Sequence, residues 1–450
     1  MPQLAEPTTR VETPPDSAAA AIERSALWHT AIKYGGSLVD QSLVSGTRFL
    51  TSVLVGSVCG AAELGTYALC FSVVLMFQCV QISLINRPYA VFGNQVQGSE
   101  KRQLAGSTLI QFAVFAGLCS VLLWGVFAGN AWLGRAPQLA PVLAALAVGL
   151  PLMLFREHAR QFCFANLNVG HAVVLDAAFT VLNLAGIGAL AWWGHLSAAT
   201  ALLVAGLSSA VAGGVWLLLD HRSLLLERAR VIADFRRQVT VGKWDCASEL
   251  AFQSQIQGLS WLLVVMLDTA SVGIYAACMM SIQVMNPIIL GVNSLLVPKA
   301  SREYSDRGVQ GLQQFVGRST LFLAVATAVL AIAATAWGPW VLEWIYRAQG
   351  FDIPVLVVAA LSFGVFVESL GTAPENGLWA MERHDQNFRV EVIAAVGSLI
   401  CAVTLISSAG LAGAALAFLA GRALNSAAHW VAYRAVIRER LAEELSGVVG

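Results

Sequence analysis

The sequence predicts an all-α integral membrane protein, with about twelve transmembrane helices in two pseudo-symmetric six-helix bundles around a central cavity. Three observations carry this. First, 57% of the 450 residues are hydrophobic and only 12% are charged, and apolar stretches close to the ~20 residues of a membrane span recur along the whole chain. Second, all but four of the 27 Lys and Arg residues fall in the N-terminus, in every second connection or in the C-terminal tail. Third, the two halves repeat each other at a nearly constant offset, as an internal duplication does.

Within residues 1–34, the stretch 1–27 is rich in Pro, Ala and Thr and lacks an apolar core. They read as a disordered cytoplasmic tail with an interfacial lead-in from Trp28 to Tyr34, and not as a cleaved signal peptide. The N-terminal bundle, 35–220, holds spans at 36–57, 64–86, 105–129, 138–158, 172–193 and 197–219. A basic cytoplasmic linker, 221–244, leads to the C-terminal bundle, 245–433, with spans at 245–266, 271–297, 317–337, 353–373, 389–408 and 411–432. Residues 434–450 form a cytoplasmic tail.

Lys- and Arg-rich connections stay cytoplasmic. Arg87, Lys101, Arg102, the stretch Arg222 to Lys243, Lys299, Arg302 and Arg383 therefore face inside. An even number of spans puts both termini there, in a bacterial-type inner (cell) membrane. Trp132, Trp192, Trp193, Trp337, Trp340 and Trp344 gather at the other interface as an aromatic belt.

The repeat is visible residue by residue. Gly65-Thr66-Tyr67-Ala68 in span 2 matches Gly273-Ile274-Tyr275-Ala276 in span 8 at an offset of 208. Later the offset settles at 215, where Asp176 meets Glu391 and Ala205-Gly206 meets Ala420-Gly421. The shift is assigned to a longer outside loop around 338–352. Six spans per half give repeats of one orientation, and two such bundles facing each other form a transporter architecture.

Span 1 has a polar face. Gln41, Ser45, Arg48 and Ser52 follow at helical spacing and stack on one side, with Asp40, Thr47 and Thr51 beside them. Such a face looks at protein or water, because an arginine in hydrocarbon costs at least ~2.5–3.5 kcal/mol. Span 7 answers with opposite sign, aligning Glu249, Gln253 and Ser260 with Gln257 alongside. In one reading, spans 1 and 7 line a cavity in which Arg48 grips a phosphate or pyrophosphate through bidentate bonds. In the other, Arg48 and Glu249 pair across the bundles, as structural glue or as a gate.

Span 12 adds Arg422, Asn425, Ser426 and His429 on one face, with Arg422 either in the cavity or snorkelling to the interface. Asp176 and Glu391 are candidates for a coupling proton or sodium ion, or for interfacial pairing, and Glu368 is a similar case. Arg156, His158 and Arg160 end span 4 and read as topology determinants, with an anionic lipid headgroup as the alternative.

Several chemistries lack their motifs. There is no GxxxxGK[ST], HExxH or GxSxG. The eight cysteines show no paired spacing, so neither a disulfide framework nor a zinc site is expected. The protein reads as a transporter and not an enzyme, without cofactor beyond a coupling H+ or Na+. Membrane lipids are its expected surroundings, and nothing points to nucleic acid.

Span 1 reads Ser45-Gly46-Thr47-Arg48-Phe49-Leu50-Thr51-Ser52, and span 2 opens Glu63-Leu64-Gly65-Thr66-Tyr67-Ala68. This resembles the polysaccharide flippases of the multidrug/oligosaccharidyl-lipid/polysaccharide exporter superfamily, over most of residues 35–435. The Gly-x-Tyr-Ala turn at Gly273–Ala276, with Leu296-Val297-Pro298 after it, is similar too. Many relatives carry Leu-Gly before the acidic residue, whereas this chain has Cys59-Gly60.

The resemblance implies a V-shaped cavity and movement of a polyprenyl-pyrophosphate-linked glycan from inner to outer leaflet. Glycan polymerase or glycosyltransferases would then be partners. On that expectation Arg48 holds the pyrophosphate, with Arg422 as a further basic candidate, and Gln41, Ser45, Gln253 and Gln257 contact the substrate. Glu249, Asp40, Asp176 and Glu391 serve gating or ion coupling. An ion-coupled multidrug or metabolite antiporter and a non-transporting scaffold for glycan assembly are the alternatives.

Overall fold

The computed structural model describes residues 39–134, 136–283, 286–349 and 351–447. The N-terminal tail, its lead-in and Arg135 lie outside the described residues. Twelve helical spans follow in order: α1 (Val39–Cys59), α2 (Ala61–Gly93), α3 (Gly98–Leu133), α4 (Ala140–Ala165), α5 (Val169–Trp192), α6 (Ala198–Asp220), α7 (Val231–Met266), α8 (Thr269–Ile282 with 286–307), α9 (309–346), α10 (Val355–Ala380), α11 (384–409) and α12 (411–447). The expected all-α membrane fold is present.

Most of these helices have a membrane span's length and hydropathy by themselves. In α7 the apolar run is diluted by Glu249, Gln253, Gln255 and Gln257, and Thr269–Ile282 is short. Helices also overrun the spans that hydropathy marks. Residues 231–244, expected as linker, are the first turns of α7, and residues 338–346, expected in an outside loop, are the last turns of α9. Hydropathy reads only the part of a helix in hydrocarbon, whereas backbone hydrogen bonding continues into the interface.

Local chemistry sets the breaks. Pro88 has no N–H to give, and α2 widens into a π-helical turn over Ile82–Asn86 just before it. The Ser197 side chain and Thr200 form a capping box at the start of α6. Glu63, at the start of α2, accepts a hydrogen bond from the Ala198 N–H at 2.6 Å, so its carboxylate also serves that helix N-terminus. Asp268 caps α8 through the Ser271 N–H at 2.7 Å.

The duplication is written into the turns. After α4, Leu167 takes φ 59°, and Asn168 N–H donates to the Cys163 carbonyl at 2.9 Å. After α10, Glu382 takes φ 60°, and Arg383 N–H donates to the Leu378 carbonyl at 3.0 Å. Every residue of the second turn lies 215 positions after its counterpart. Two equivalent helices thus end in the same left-handed cap.

The apolar core forks along the membrane normal. At the tryptophan end one cluster runs through both halves, joining Leu64, Tyr67 and Leu146 to Tyr275, Tyr346 and Phe418. At the end bearing the basic connections it divides. One cluster there belongs to the N-terminal half, around Phe162 and Trp216, and a separate one to the C-terminal half, around Leu312 and Tyr433. Two bundles joined at one end and separately packed at the other make a V. The six belt tryptophans are all exposed at or near the joined end.

The joint itself is a backbone contact. A Cβ on Gly65 would strike the Thr269 carbonyl and lie 2.9 Å from the Gly273 nitrogen. A Cβ on Gly273 would strike the Ala61 carbonyl and lie 3.0 Å from the Gly65 nitrogen. Nearby, Gly56 of α1 lies against the buried Tyr346 ring of α9, and Gln349 donates to the Val58 carbonyl at 3.1 Å. Toward the other end α7 of the second half also lies against α2: a Cβ on Gly242 would strike the Ser83 carbonyl, and both Asp245 oxygens accept from Arg87 at 2.6 Å.

Candidate functional site

The Thr and Asp strip of α1 anchors that helix inside the N-terminal bundle. Thr47 and Thr180 of α5 share a hydrogen bond of 2.8 Å, and Asn183 donates to Thr51 at 2.8 Å. This rotation turns Arg48 into a pocket within the bundle. The pocket draws its walls from α1, α2, α4, α5 and α6. Arg48 is half-buried, with its guanidinium carbon 5.2 Å from the Phe71 ring centre. Gln78, Asn183 and Ser209 give the walls hydrogen-bonding groups, and Phe71 and Phe179 give them flat apolar ones.

Deeper toward the basic end lies a buried charge cluster. Arg160 reaches Asp40 at 2.7 Å, Asp176 at 2.9 Å and Glu157 at 3.4 Å, and Arg156 reaches Asp176 at 2.9 Å. Both aspartates are fully buried. Arg156 also stacks over Phe179 at 3.9 Å. Asp40 and Asp176 thus already hold tethered cations. Reading Arg156 and Arg160 as mere topology determinants does not hold, because both side chains point inward along one face of α4. The legible signal was Arg156-Glu157-His158-Ala159-Arg160, three charges within a helical turn and a half of so uncharged a chain. Glu157 was missed altogether.

The C-terminal bundle has the opposite polarity. Arg422 is buried, not snorkelling, and pairs with Glu368 at 3.1 Å between the rings of Phe252 and Phe418. Glu391 accepts from Gln255 at 3.0 Å and from Asn425 at 3.2 Å, with His429 Nε2 at 4.0 Å. Along α7, Gln257 donates to Gln253 and Gln253 to Glu249, each at 3.4 Å. Glu249 ends that ladder 3.8 Å from Arg87. At the repeat offset of 215, Arg160 corresponds to Glu375, and Asp176 to Glu391.

Two expectations are corrected. Arg48 and Glu249 do not pair: Arg48 faces Phe71 inside its own bundle, and Glu249 faces Arg87 near the basic end. Nor is Arg48 held between α1 and α7, since among the described residues its pocket has no wall from the C-terminal half. A helix face can be read from spacing, but the rotation that aims it depends on partners far away in sequence. Gln41 and Ser45 remain close on α1, 3.4 Å apart.

Among solved structures the fold is that of MATE transporters of the MOP superfamily. A multidrug resistance MATE family transporter in the inward-facing conformation aligns with a TM-score of 0.75 at 14% identity, covering 89% of this chain and 96% of that one. An outward-facing multidrug resistance MATE family transporter gives 0.64 at 13% identity, over 90% and 94%. A MOP superfamily transporter from Pyrococcus furiosus, described as having a binding pocket of reverse polarity, gives 0.63 at 12% identity, over 90% and 94%. No family model and no curated protein sequence matches the chain.

Proposed function

We propose that this protein is an alternating-access flippase that carries an anionic, polyprenyl-pyrophosphate-linked oligosaccharide from the inner to the outer leaflet. One observation carries the reading. Arg156 and Arg422, both buried, and the half-buried Arg160 each hold a carboxylate, whereas Arg48 has no ion-pair partner among the described residues. A guanidinium kept in a pocket without an ion-pair partner of its own can receive an incoming anion. Gln78, Asn183 and Ser209 supply hydrogen bonds beside it. The V opens toward the basic end, where a substrate made in the cytoplasm would enter.

Loss of the protein should make cells accumulate the lipid-linked oligosaccharide, seen by mass spectrometry of lipid extracts, and Arg48→Ala should reproduce that accumulation while still inserting. A deletion that accumulates nothing would refute the reading. A second reading, ion-coupled export of a drug or metabolite, draws on the carboxylates of the C-terminal bundle and on the multidrug transporters that share the fold. It expects transport to survive Arg48→Ala and to fail when Glu249 or Glu391 is neutralised.

A further inference from the structure

We infer that Glu391 and His429 form a proton-binding pair between α11 and α12. Asn425 fixes the arrangement. Its side-chain oxygen and its carbonyl lie 2.9 and 3.1 Å from His429 Nδ1, so Nδ1 carries the ring hydrogen and donates it. Nε2 then presents a lone pair. It is buried, has no hydrogen-bond partner among the described residues, and lies 4.0 Å from Glu391 Oε1. Two acceptors face each other with no hydrogen between them, and one proton from the aqueous phase makes them a hydrogen-bonded pair.

A metal ion fits the gap poorly. Hard cations want several oxygens, but Gln255 and Asn425 turn N–H groups toward Glu391. The charged groups around the pair are Arg422 of α12 and Glu368 and Glu375 of α10. Closing the 4.0 Å gap draws α11 toward α12, so the protonation state sets how tightly the C-terminal bundle packs. As the driving ion of transport, the pair rests on the alternating-access reading above. Its proton binding does not.

The test counts protons taken up by the purified full chain in detergent as pH is lowered, for wild type, Glu391→Gln, His429→Gln and the double variant. The pair predicts that the first proton taken up below neutral pH, the one the two groups share, is lost in each single variant and that the double variant loses no more of that first step. Losses that add, or single variants that bind as many protons as wild type, would overturn it. Should the variants fail to fold, the unaltered chain labelled with 15N-histidine serves instead. One buried imidazole must then change its ring-nitrogen signals together with the uptake, and signals that stay fixed reject the pair. If the proton count is as expected but transport in vesicles ignores a proton gradient, the pair stands and ion-driven transport falls.

Discussion

Gly65 and Gly273, equivalent residues of the two halves, lie against each other so closely that neither tolerates a β-carbon. A methyl on either would overlap the backbone of the opposite helix, at the Thr269 carbonyl in one direction and the Ala61 carbonyl in the other. These contacts are related by the same offset of 208 that the sequence shows, so the repeat motif itself forms the joint. In an outward-open state this joint must part.

Gly65→Val or Gly273→Val should therefore wedge α2 from α8 and favour the outward-open form. With Gln78→Cys as a reporter in the Arg48 pocket, a membrane-impermeant maleimide added to intact cells should label the glycine variants faster than the reporter alone. Equal labelling would mean that the glycine contact does not hold the tryptophan end shut.

Asp176 accepts from both Arg156 and Arg160, and Asn in its place leaves two buried guanidinium groups short of charge. Breaking a buried pair from one side costs about 3–5 kcal/mol, so Asp176→Asn should lower the unfolding temperature in detergent sharply. If the variant instead keeps its stability and loses only ion dependence, Asp176 is the coupling group that the sequence first suggested.

Leu167 and Glu382 hold left-handed backbone without being glycine. That conformation costs of order 1 kcal/mol in a residue with a side chain. Leu167→Gly and Glu382→Gly should each raise thermal stability by up to about that amount. Destabilisation by both would show that the side chains contribute more than the strain removes.

The fold was legible because its signals are local or periodic. Apolar runs gave the spans, the sided Lys and Arg gave their alternation, and Gly65/Gly273 gave the duplication. The site was legible only in part. The polar face of α1 was expected to look at protein or water, and its two strips do different jobs, Thr47 and Thr51 anchoring the helix while Arg48 enters a pocket. What spacing could not supply was aim. Arg48 and Glu249 look complementary along the chain but belong to different environments, and Glu157 joins a cluster whose other members come from α1 and α5.

Arg48 should discriminate between guanidinium and ammonium. A bidentate, charge-assisted contact is worth about 1.5–3 kcal/mol over water, so Arg48→Ala should weaken retention of a pyrophosphate lipid by roughly 10- to 100-fold. Arg48→Lys, a point charge without the fork, should recover only part of that. Full recovery by Lys would mean that charge alone matters in the pocket.

The central claim is tested most directly by reconstituting the purified chain in liposomes with a fluorescent polyprenyl-pyrophosphate saccharide and measuring its movement between leaflets. The wild-type protein should move the lipid, and Arg48→Ala, folded to the same unfolding temperature, should not. Equal movement by the two proteins would contradict the assignment of Arg48 as the anion receptor, and a wild-type protein that moves no pyrophosphate lipid but exports a cationic drug would place the chain among the antiporters.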